Sequence, residues 1–112
     1  MHLTGKELEV MSLLWENEEA MAVADILNVS EDRTWSTNSI FVMMTKLEKK
    51  GAVDYKLVAS VTKPARVYKP TLTYEEYLAR GLVAKEKKSN MKIDMDLFLK
   101  TLEKEFKEAR KA

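Results

Sequence analysis

A predicted helix near the middle of the chain carries side chains of the kinds that contact DNA. Solvated helix faces usually carry Glu, Lys and Gln, but one face of this helix is an unusual mixture. An amide, a hydroxyl and a valine side chain can reach base edges and thymine methyl groups, while lysines can meet phosphates. With residues placed at about 100° intervals, the face is formed by Asn38, Val42, Thr45 and Lys49, flanked by Phe41 and Lys46. The pattern therefore predicts a helix that contacts DNA.

The same helix has signals at both ends. Ser36 is expected to cap its start, because a serine hydroxyl can accept from an otherwise unpaired backbone N–H. Gly51 is expected to end it, since glycine readily adopts the positive φ of a C′ position, and Lys49 and Lys50 complement the helix dipole. We therefore predict a helix from about Thr37 to Lys50. Its apolar face is expected to pack on the core and comprises Ile40, Met43, Met44 and Leu47.

The composition favours one small domain and excludes most catalytic sites. The chain has 112 residues, and hydrophobic residues make up 46% of them, which is enough for one domain with a core. Cysteine is absent and the only histidine is His2, so disulfides, thiol catalysis, a Ser-His-Asp triad and a multi-histidine metal site have no candidate residues. The acidic pairs at 18–19, 31–32 and 75–76 are expected to be solvated. We therefore expect no enzyme activity, no metal and no cofactor.

Neither membrane insertion nor export is indicated. No apolar run approaches the roughly 18 residues that a membrane span needs, and the N-terminus lacks the apolar segment of a signal peptide. The lack of cysteine fits a reducing compartment. We therefore expect a soluble, cytoplasmic protein with no membrane partner.

The net charge of +1 is unevenly distributed along the chain. Residues 1–20 carry a net charge of −4 and residues 21–35 a net charge of −2. Residues 36–70 carry seven basic against two acidic side chains, and residues 71–112 carry ten against eight. The positive charge is concentrated in and just after the helix from Thr37, as expected of a DNA-binding surface.

Two further helices are predicted before that one. Thr4 and Glu7 have the spacing of a capping box, and Leu3 with Leu8 can form its hydrophobic staple, so a first helix begins there. A second helix is predicted from Val23 to about Val29. It follows residues 20–22, which are expected to pair briefly as an edge strand, and it is followed by a polar turn at 30–34.

A β-hairpin is predicted after Gly51. Val53, Tyr55 and Leu57 alternate with polar residues, which is typical of a half-buried strand. A second strand is expected at about 65–69, ended by Pro70, with a loop at 59–64 that is too long for a two-residue turn. Three helices followed by a basic hairpin is the order of a winged helix-turn-helix domain, in which the third helix enters the major groove and the wing touches the backbone.

The rest of the chain predicts a helical dimerisation region. A second capping box, Thr73 with Glu76, starts a helix; a bend is expected at 85–92, and a last helix from about Asp94 has heptad spacing. We expect a second copy of the chain to cover these apolar faces; the alternative is that they fold back on their own domain. The predicted division is a winged-helix domain at 1–72 and a dimerisation region at 73–112, in a mainly α (α+β) protein. The expected dimer contacts are Tyr77, Leu78, Leu82, Met95, Phe98, Leu99, Leu102 and Phe106.

These residues resemble the penicillinase-repressor (BlaI/MecI) family of winged-helix transcription factors over nearly the whole chain. The resemblance is carried by the order and spacing of the segments 3–4, 7–11, 14–15, 35–36, 45–51, 68–70 and 74–77. It implies a homodimer that binds an inverted-repeat operator in double-stranded DNA and represses transcription, with dimerisation through the C-terminal helices. The resemblance and the helix pattern together give the expected DNA contacts, which are Ser36, Thr37, Asn38, Phe41, Val42, Thr45, Lys46, Lys49, Lys63 and Arg66.

Three departures from the family pattern bear on function. Position 41 is Phe where penicillinase repressors commonly have Arg, so a charge-assisted contact is lost and a different operator is expected. The chain has no Asn-Phe pair, at which antibiotic-responsive members are cleaved, and no cysteine, which copper-responsive relatives use as metal ligand.

The alternative hypothesis is a winged-helix module that binds another protein through Phe41 and Val42.

Overall fold

A computed structural model describes residues 1–30, 33–60 and 62–111 of the chain. Positions 31, 32 and 61, which belong to the predicted turn at 30–34 and loop at 59–64, lie outside the described residues. The chain divides into two compact units, Met1–Leu78 and Ala79–Ala112, whose boundary falls within a helix. The elements confirm the predicted α+β winged-helix order and are α1 Gly5–Glu16, α2 Val23–Val29, α3 Ser39–Lys49, β1 Val53–Val58, β2 Ala65–Pro70, α4 Tyr74–Ser89 and α5 Met95–Ala109.

The start of α1 has the predicted capping box. The Thr4 hydroxyl accepts from the Glu7 backbone N–H at 3.2 Å, and the Glu7 carboxylate accepts from the Thr4 N–H at 2.9 Å. Both bonds use backbone donors that would otherwise be unpaired at a helix start. Leu3 is buried and Leu8 packs on the core, as the predicted staple requires.

The second helix and the short edge strand are confirmed. Helix α2 has the predicted bounds, Val23–Val29, and buries Ile26. Met21 forms an isolated antiparallel bridge with Tyr68, with backbone hydrogen bonds of 2.9 and 2.8 Å in the two directions. This bridge joins the segment before α2 to β2 of the hairpin.

Helix α3 begins two residues later than predicted, at Ser39. The Ser39 N–H donates to both the carbonyl and the hydroxyl of Ser36, at 3.1 and 3.3 Å. Ser36 therefore accepts a backbone N–H as expected, but the three-residue closure makes Thr37 and Asn38 a turn that precedes the helix.

The end of α3 follows the prediction. Gly51 has φ 79°, and its N–H donates to the Glu48 carbonyl at 3.0 Å. The next N–H, of Ala52, donates to the Leu47 carbonyl at 2.9 Å. These two bonds form a Schellman motif, which turns the chain from α3 directly into β1.

The hairpin is less buried than its alternating pattern predicted. Strands β1 and β2 pair antiparallel from Val53 opposite Pro70 to Val58 opposite Ala65. Only Val53 is buried in β1; Tyr55 is exposed and Leu57 is 62% exposed, so the expectation of a half-buried strand is wrong for both. The two strands form the whole described sheet. Every residue of β1 after Val53 is exposed, so the core reaches only the first residue of this strand.

The core lies within the first unit and is built from all three of its leading helices. The predicted face of α3 is buried, as are Val10, Met11 and Leu14 of α1. Trp15 packs on the edge of this core, and its indole N–H donates to the Leu72 carbonyl at 2.9 Å. The core therefore holds α3 by one face and leaves its other face to solvent.

Helix α4 starts with the predicted capping box between Thr73 and Glu76. It continues through the region where a bend was expected and ends at Ser89, before Asn90 with φ 56°. Lysine is a good helix former, so residues 85–88 extend the helix and Asn90 supplies the left-handed residue that ends it. Helix α5 begins at Met95, close to the predicted start at about Asp94, and the Asp94 side chain caps it by accepting from the Leu97 N–H.

Candidate nucleic-acid interface

The solvent face of α3 brings together most of the predicted DNA contacts. Asn38, Thr45, Lys46 and Lys49 are exposed. Two apolar side chains lie among them, with Phe41 61% and Val42 57% exposed. Helix α3 and the residue just before it thus offer an amide, a hydroxyl, two ammonium groups and two apolar groups to solvent. This set can read base edges, contact thymine methyl groups and bind phosphates.

Thr45 has part of its hydrogen-bonding capacity committed to the helix. Its hydroxyl donates to the Phe41 carbonyl at 3.0 Å. A hydroxyl that donates in this way keeps its lone pairs for an incoming donor. At a base edge, such a donor is the exocyclic amino group of adenine or cytosine.

The turn before α3 is held by its own side chains. The hydroxyls of Ser36 and Ser39 are 2.6 Å apart. Thr37 Oγ1 accepts from Arg33 Nη2 at 2.8 Å, and the guanidinium lies 5.1 Å from the centre of the Trp35 ring. Arg33 was missed in the sequence. The available signal was its position as the one basic residue of the acidic segment 21–35, close before the helix.

The C-terminal end of α3 is fixed to α1 by an ion pair. Lys50 Nζ donates to Glu7 Oε1 at 2.6 Å and to the His2 carbonyl at 2.9 Å. Burial raises the pKa of the Glu7 carboxyl, but hydrogen bonds from Lys50 and Thr4 outweigh this, so the pKa lies below its ordinary value of 4.5. Lys50 is therefore committed to the fold, whereas Lys46 and Lys49 point into solvent without an ion pair among the described residues.

The two predicted wing contacts differ in their surroundings. Lys63 is exposed at the loop, where its carbonyl accepts from the Ser60 hydroxyl. Arg66 lies 4.2 Å from the Tyr55 ring centre and 3.8 Å from a carboxylate oxygen of Glu48. Interaction with the Tyr68 side chain, reinforced by Tyr55, raises the pKa of Arg66. Arg66 is thus held on the wing beside α3.

The predicted dimer contacts are mostly exposed within the single chain. Neither α4 nor α5 has a buried residue. Tyr77 is half-buried, because its ring lies 5.8 Å from that of Trp15 in the first unit. Phe98 is also half-buried. The remaining predicted positions are exposed apolar side chains, namely Leu78, Leu82, Met95, Leu99, Leu102 and Phe106.

Residues 1–30, 33–60 and 62–111 contain no group of three or more His, Asp or Glu side chains placed to hold a metal ion. In the same residues, no helix combines the length and the apolar character that crossing a bilayer requires.

Known proteins resemble this chain in both sequence and fold. It is 30% identical over 76 residues to a penicillinase repressor of Bacillus licheniformis, which covers 68% of this chain and 56% of that protein. It is 35% identical over 54 residues to the methicillin resistance regulatory protein MecI of Mammaliicoccus sciuri, a match that covers 48% of this chain and 44% of that protein. The chain therefore spans about half the length of the curated relatives that it matches.

Two solved structures are similar to it. A PadR-like transcription factor from Bacteroides fragilis superposes with a TM-score of 0.54 at 25% identity, over 75% of this chain and 82% of that one. A conserved protein described as a potential transcriptional factor superposes with a TM-score of 0.51 at 16% identity, over 100% of this chain and 99% of that one. This second match shows a common fold. The model of the penicillinase repressor family matches residues 3–105. The chain belongs to the penicillinase repressor family.

Proposed function

We propose that this protein is a homodimeric, sequence-specific DNA-binding repressor of transcription. The observation that carries the proposal is the two-faced character of α3, whose apolar face is buried while its opposite face exposes a hydroxyl and two lysines, next to the exposed amide of Asn38 just before the helix. The names of its relatives, a penicillinase repressor and a methicillin resistance regulatory protein, support it.

In the proposed complex α3 enters the major groove and the hairpin contacts the backbone. Asn38, at the start of the helix, would read a base edge, and Val42 would pack on a thymine methyl group. Lys46 and Lys49, with Lys63 on the wing, would neutralise phosphates. Binding over a promoter would exclude the transcription machinery from it.

The apolar seam of α5 supports a dimer. Residues 95, 99, 102 and 106 recur at steps of four and three, as in a coiled coil, and all four are exposed in the single chain. Two copies that cover each other's seam would present two copies of α3. Their half-sites would be separated by one helical turn, about 10 bp, or a multiple of it.

Selection of bound duplexes from a random DNA pool tests the proposal most directly. We expect a palindromic consensus, and anisotropy titrations on the selected duplex should be steeply salt-dependent. A dimer with about 6 to 10 phosphate contacts loses roughly 10³ to 10⁵ in affinity between 50 and 200 mM salt. Recovery of no consensus, together with salt-independent binding, would refute DNA recognition.

The exposure of Phe41 and Val42 favours a second candidate, a module that binds another protein through this apolar patch. The double variant Lys46→Glu and Lys49→Glu separates the two functions, because it reverses charge without changing either apolar side chain. DNA binding should be abolished by it. Retention of a stoichiometric protein partner by this variant would support the module instead.

A further inference from the structure

The guanidinium of Arg33, in the segment before α3, has four contacts. Arg33 Nη1 donates to the Leu27 carbonyl at 3.5 Å and to the Ser30 hydroxyl at 3.3 Å, and Arg33 Nη2 donates to the Thr37 hydroxyl at 2.8 Å. The fourth contact is the face of the buried Trp35 ring, 5.1 Å away. Arg33 thus connects the end of α2 to the turn that precedes α3.

The direction of the bond to Thr37 follows from the chemistry of arginine. A guanidinium has only N–H donors, so the Thr37 oxygen must accept. The threonine hydroxyl then directs its own proton toward an acceptor. Among the described residues, Thr37 makes no other hydrogen bond, and its side chain is exposed, like that of the adjacent Asn38.

The segment that contains Arg33 and Thr37 is also bonded to α1 through Thr34. The Thr34 N–H donates to a Glu9 carboxylate oxygen at 3.3 Å, and the Thr34 hydroxyl donates to the other oxygen. Trp35 is buried in the core. Thr34 and Trp35, which lie between Arg33 and Thr37 in the chain, are therefore both anchored to the rest of the domain.

We propose that Arg33 is a positioning residue that fixes Thr37 as a hydrogen-bond donor to the DNA backbone. The proposal rests on the proposed function and deepens it, since it assigns the acceptor as a phosphate oxygen. A phosphate is the acceptor that also gains from a nearby guanidinium charge. Arg33 acts through Thr37 and through its positive charge, and does not read sequence.

A double-mutant cycle on the duplex selected by the wild-type protein tests this assignment. Arg33→Lys keeps the charge but loses the planar fork, and Thr37→Val keeps the shape but loses the hydroxyl. Each single variant should bind roughly tenfold more weakly, the effect of one lost charge-assisted hydrogen bond. The double variant should bind no more weakly than either single variant, because both remove the same contact.

Two controls separate positioning from folding and from general charge. Thr37→Ser retains the hydroxyl and should restore binding to within about twofold of wild type. Lys6→Gln removes one exposed charge from α1 and should leave the affinity nearly unchanged. Thermal unfolding of each variant measures any structural effect independently of DNA.

Three results would overturn the assignment. Additive effects of the two substitutions would mean that Arg33 does not act through Thr37. Wild-type affinity in Arg33→Lys, with a salt dependence lowered by Arg33→Gln, would make Arg33 a direct phosphate contact. Unchanged binding in all variants, while wild type still selects a consensus, would remove the role of Arg33 and leave the proposed function standing; a wild type that selects no consensus refutes the function itself.

Discussion

Helices α3 and α5 have similar apolar stripes but opposite environments. Leu47 of α3 is completely buried, whereas Leu99 of α5 is 55% exposed. In α3 the stripe faces a core made by α1, α2 and the start of β1, so its opposite face is left for a ligand. In α5 the stripe itself is exposed, so the apolar face is the surface available to a partner. Periodicity indicates that a helix has an apolar face, but the same pattern serves folding in one helix and, as we propose, association in the other.

Their ion pairs differ in the same way. The pair of α3, between Lys50 and Glu7, has a buried carboxylate and joins residues far apart in sequence. The pair of α5, between Glu103 and Lys107, is exposed on both sides and spans one helical turn at 3.1 Å. Exposed pairs of this kind contribute about 0.3 to 0.5 kcal/mol to stability. A buried carboxylate destabilises the fold strongly when its partner is removed, because its charge is then left uncompensated.

The largest expected effect comes from disrupting the seam of α5. Leu102→Asp with Phe106→Asp places two charges in the proposed interface, and sedimentation should find monomers. Affinity for a two-half-site duplex should fall by roughly 10² to 10⁴, the usual gain from linking two binding events. Lys100→Gln with Lys104→Gln makes the same change in net charge on the opposite face and should remain dimeric. A dimer that survives the aspartates would place the interface elsewhere.

A matched pair of leucines tests the burial difference directly. Leu47→Ala should lower the free energy of unfolding by about 2 to 5 kcal/mol, because it leaves a cavity in the core. Leu99→Ala should cost less than about 1 kcal/mol at protein concentrations where the chain is monomeric. Chemical denaturation measures both. Equal losses in dilute monomer would mean that α5 is covered within its own chain.

The two ion pairs give a smaller but equally direct contrast. Lys50→Ala should destabilise the fold by about 2 to 3 kcal/mol, less than for a fully buried pair since Lys50 is partly exposed. Lys107→Ala should cost no more than about 0.5 kcal/mol. Chemical denaturation at neutral pH measures both, and equal losses would show that burial of Glu7 adds nothing.

The Lys50 effect should also depend on pH. Because the folded-state pKa of Glu7 is depressed, its contribution is present above its ordinary pKa of 4.5 and is lost as pH falls through the folded value. The difference in free energy of unfolding between wild type and Lys50→Ala should therefore narrow as the pH falls below 4.5. A difference that stays constant down to pH 3 would mean that Lys50 stabilises the fold independently of the charge on Glu7.

The smallest expected effects distinguish two roles on the exposed face of α3. Asn38→Ala should reduce discrimination at one operator position by about 1 to 3 kcal/mol. Lys49→Ala should weaken binding to all sequences alike and lower the salt slope by about 1. Binding profiles over single-base variants of the selected site measure both. Indistinguishable profiles would show that base reading and phosphate binding are not divided between these residues.

Much of the fold follows from short-range patterns. Both capping boxes form as predicted because each needs only residues three apart, and Gly51 ends α3 because the positive φ it adopts disfavours most other residues. The start of α3 was misplaced because a three-residue turn at Ser36 uses the same donor as a helix cap. The exposure of Tyr55 and Leu57 was missed, since alternation predicts that one face is apolar but not that a core reaches it.

The candidate site likewise combines features that the sequence predicts with features that it does not. The side chains of α3 that face solvent follow from helical geometry and were predicted by position, although their DNA contacts remain a proposal. The Arg33 contacts with Ser30 and Thr37 depend on how α2 meets the turn before α3, and so no periodic pattern reveals them. The ion pair between Lys50 and Glu7 likewise joins residues 43 apart in the chain. It distinguishes one lysine from its neighbours Lys46 and Lys49.

The amino-acid sequence alone determined the element order, both capping boxes, the end of α3, its two faces and the family, because these depend on local geometry and on residue order. Tertiary structure decided which apolar faces are covered and which lysines of α3 and its C-terminal end remain unpaired. Those properties depend on the distances between segments remote in sequence. Burial, charge pairing and solvent access are set by such distances, and they distinguish a helix packed into a core from one with an exposed apolar face.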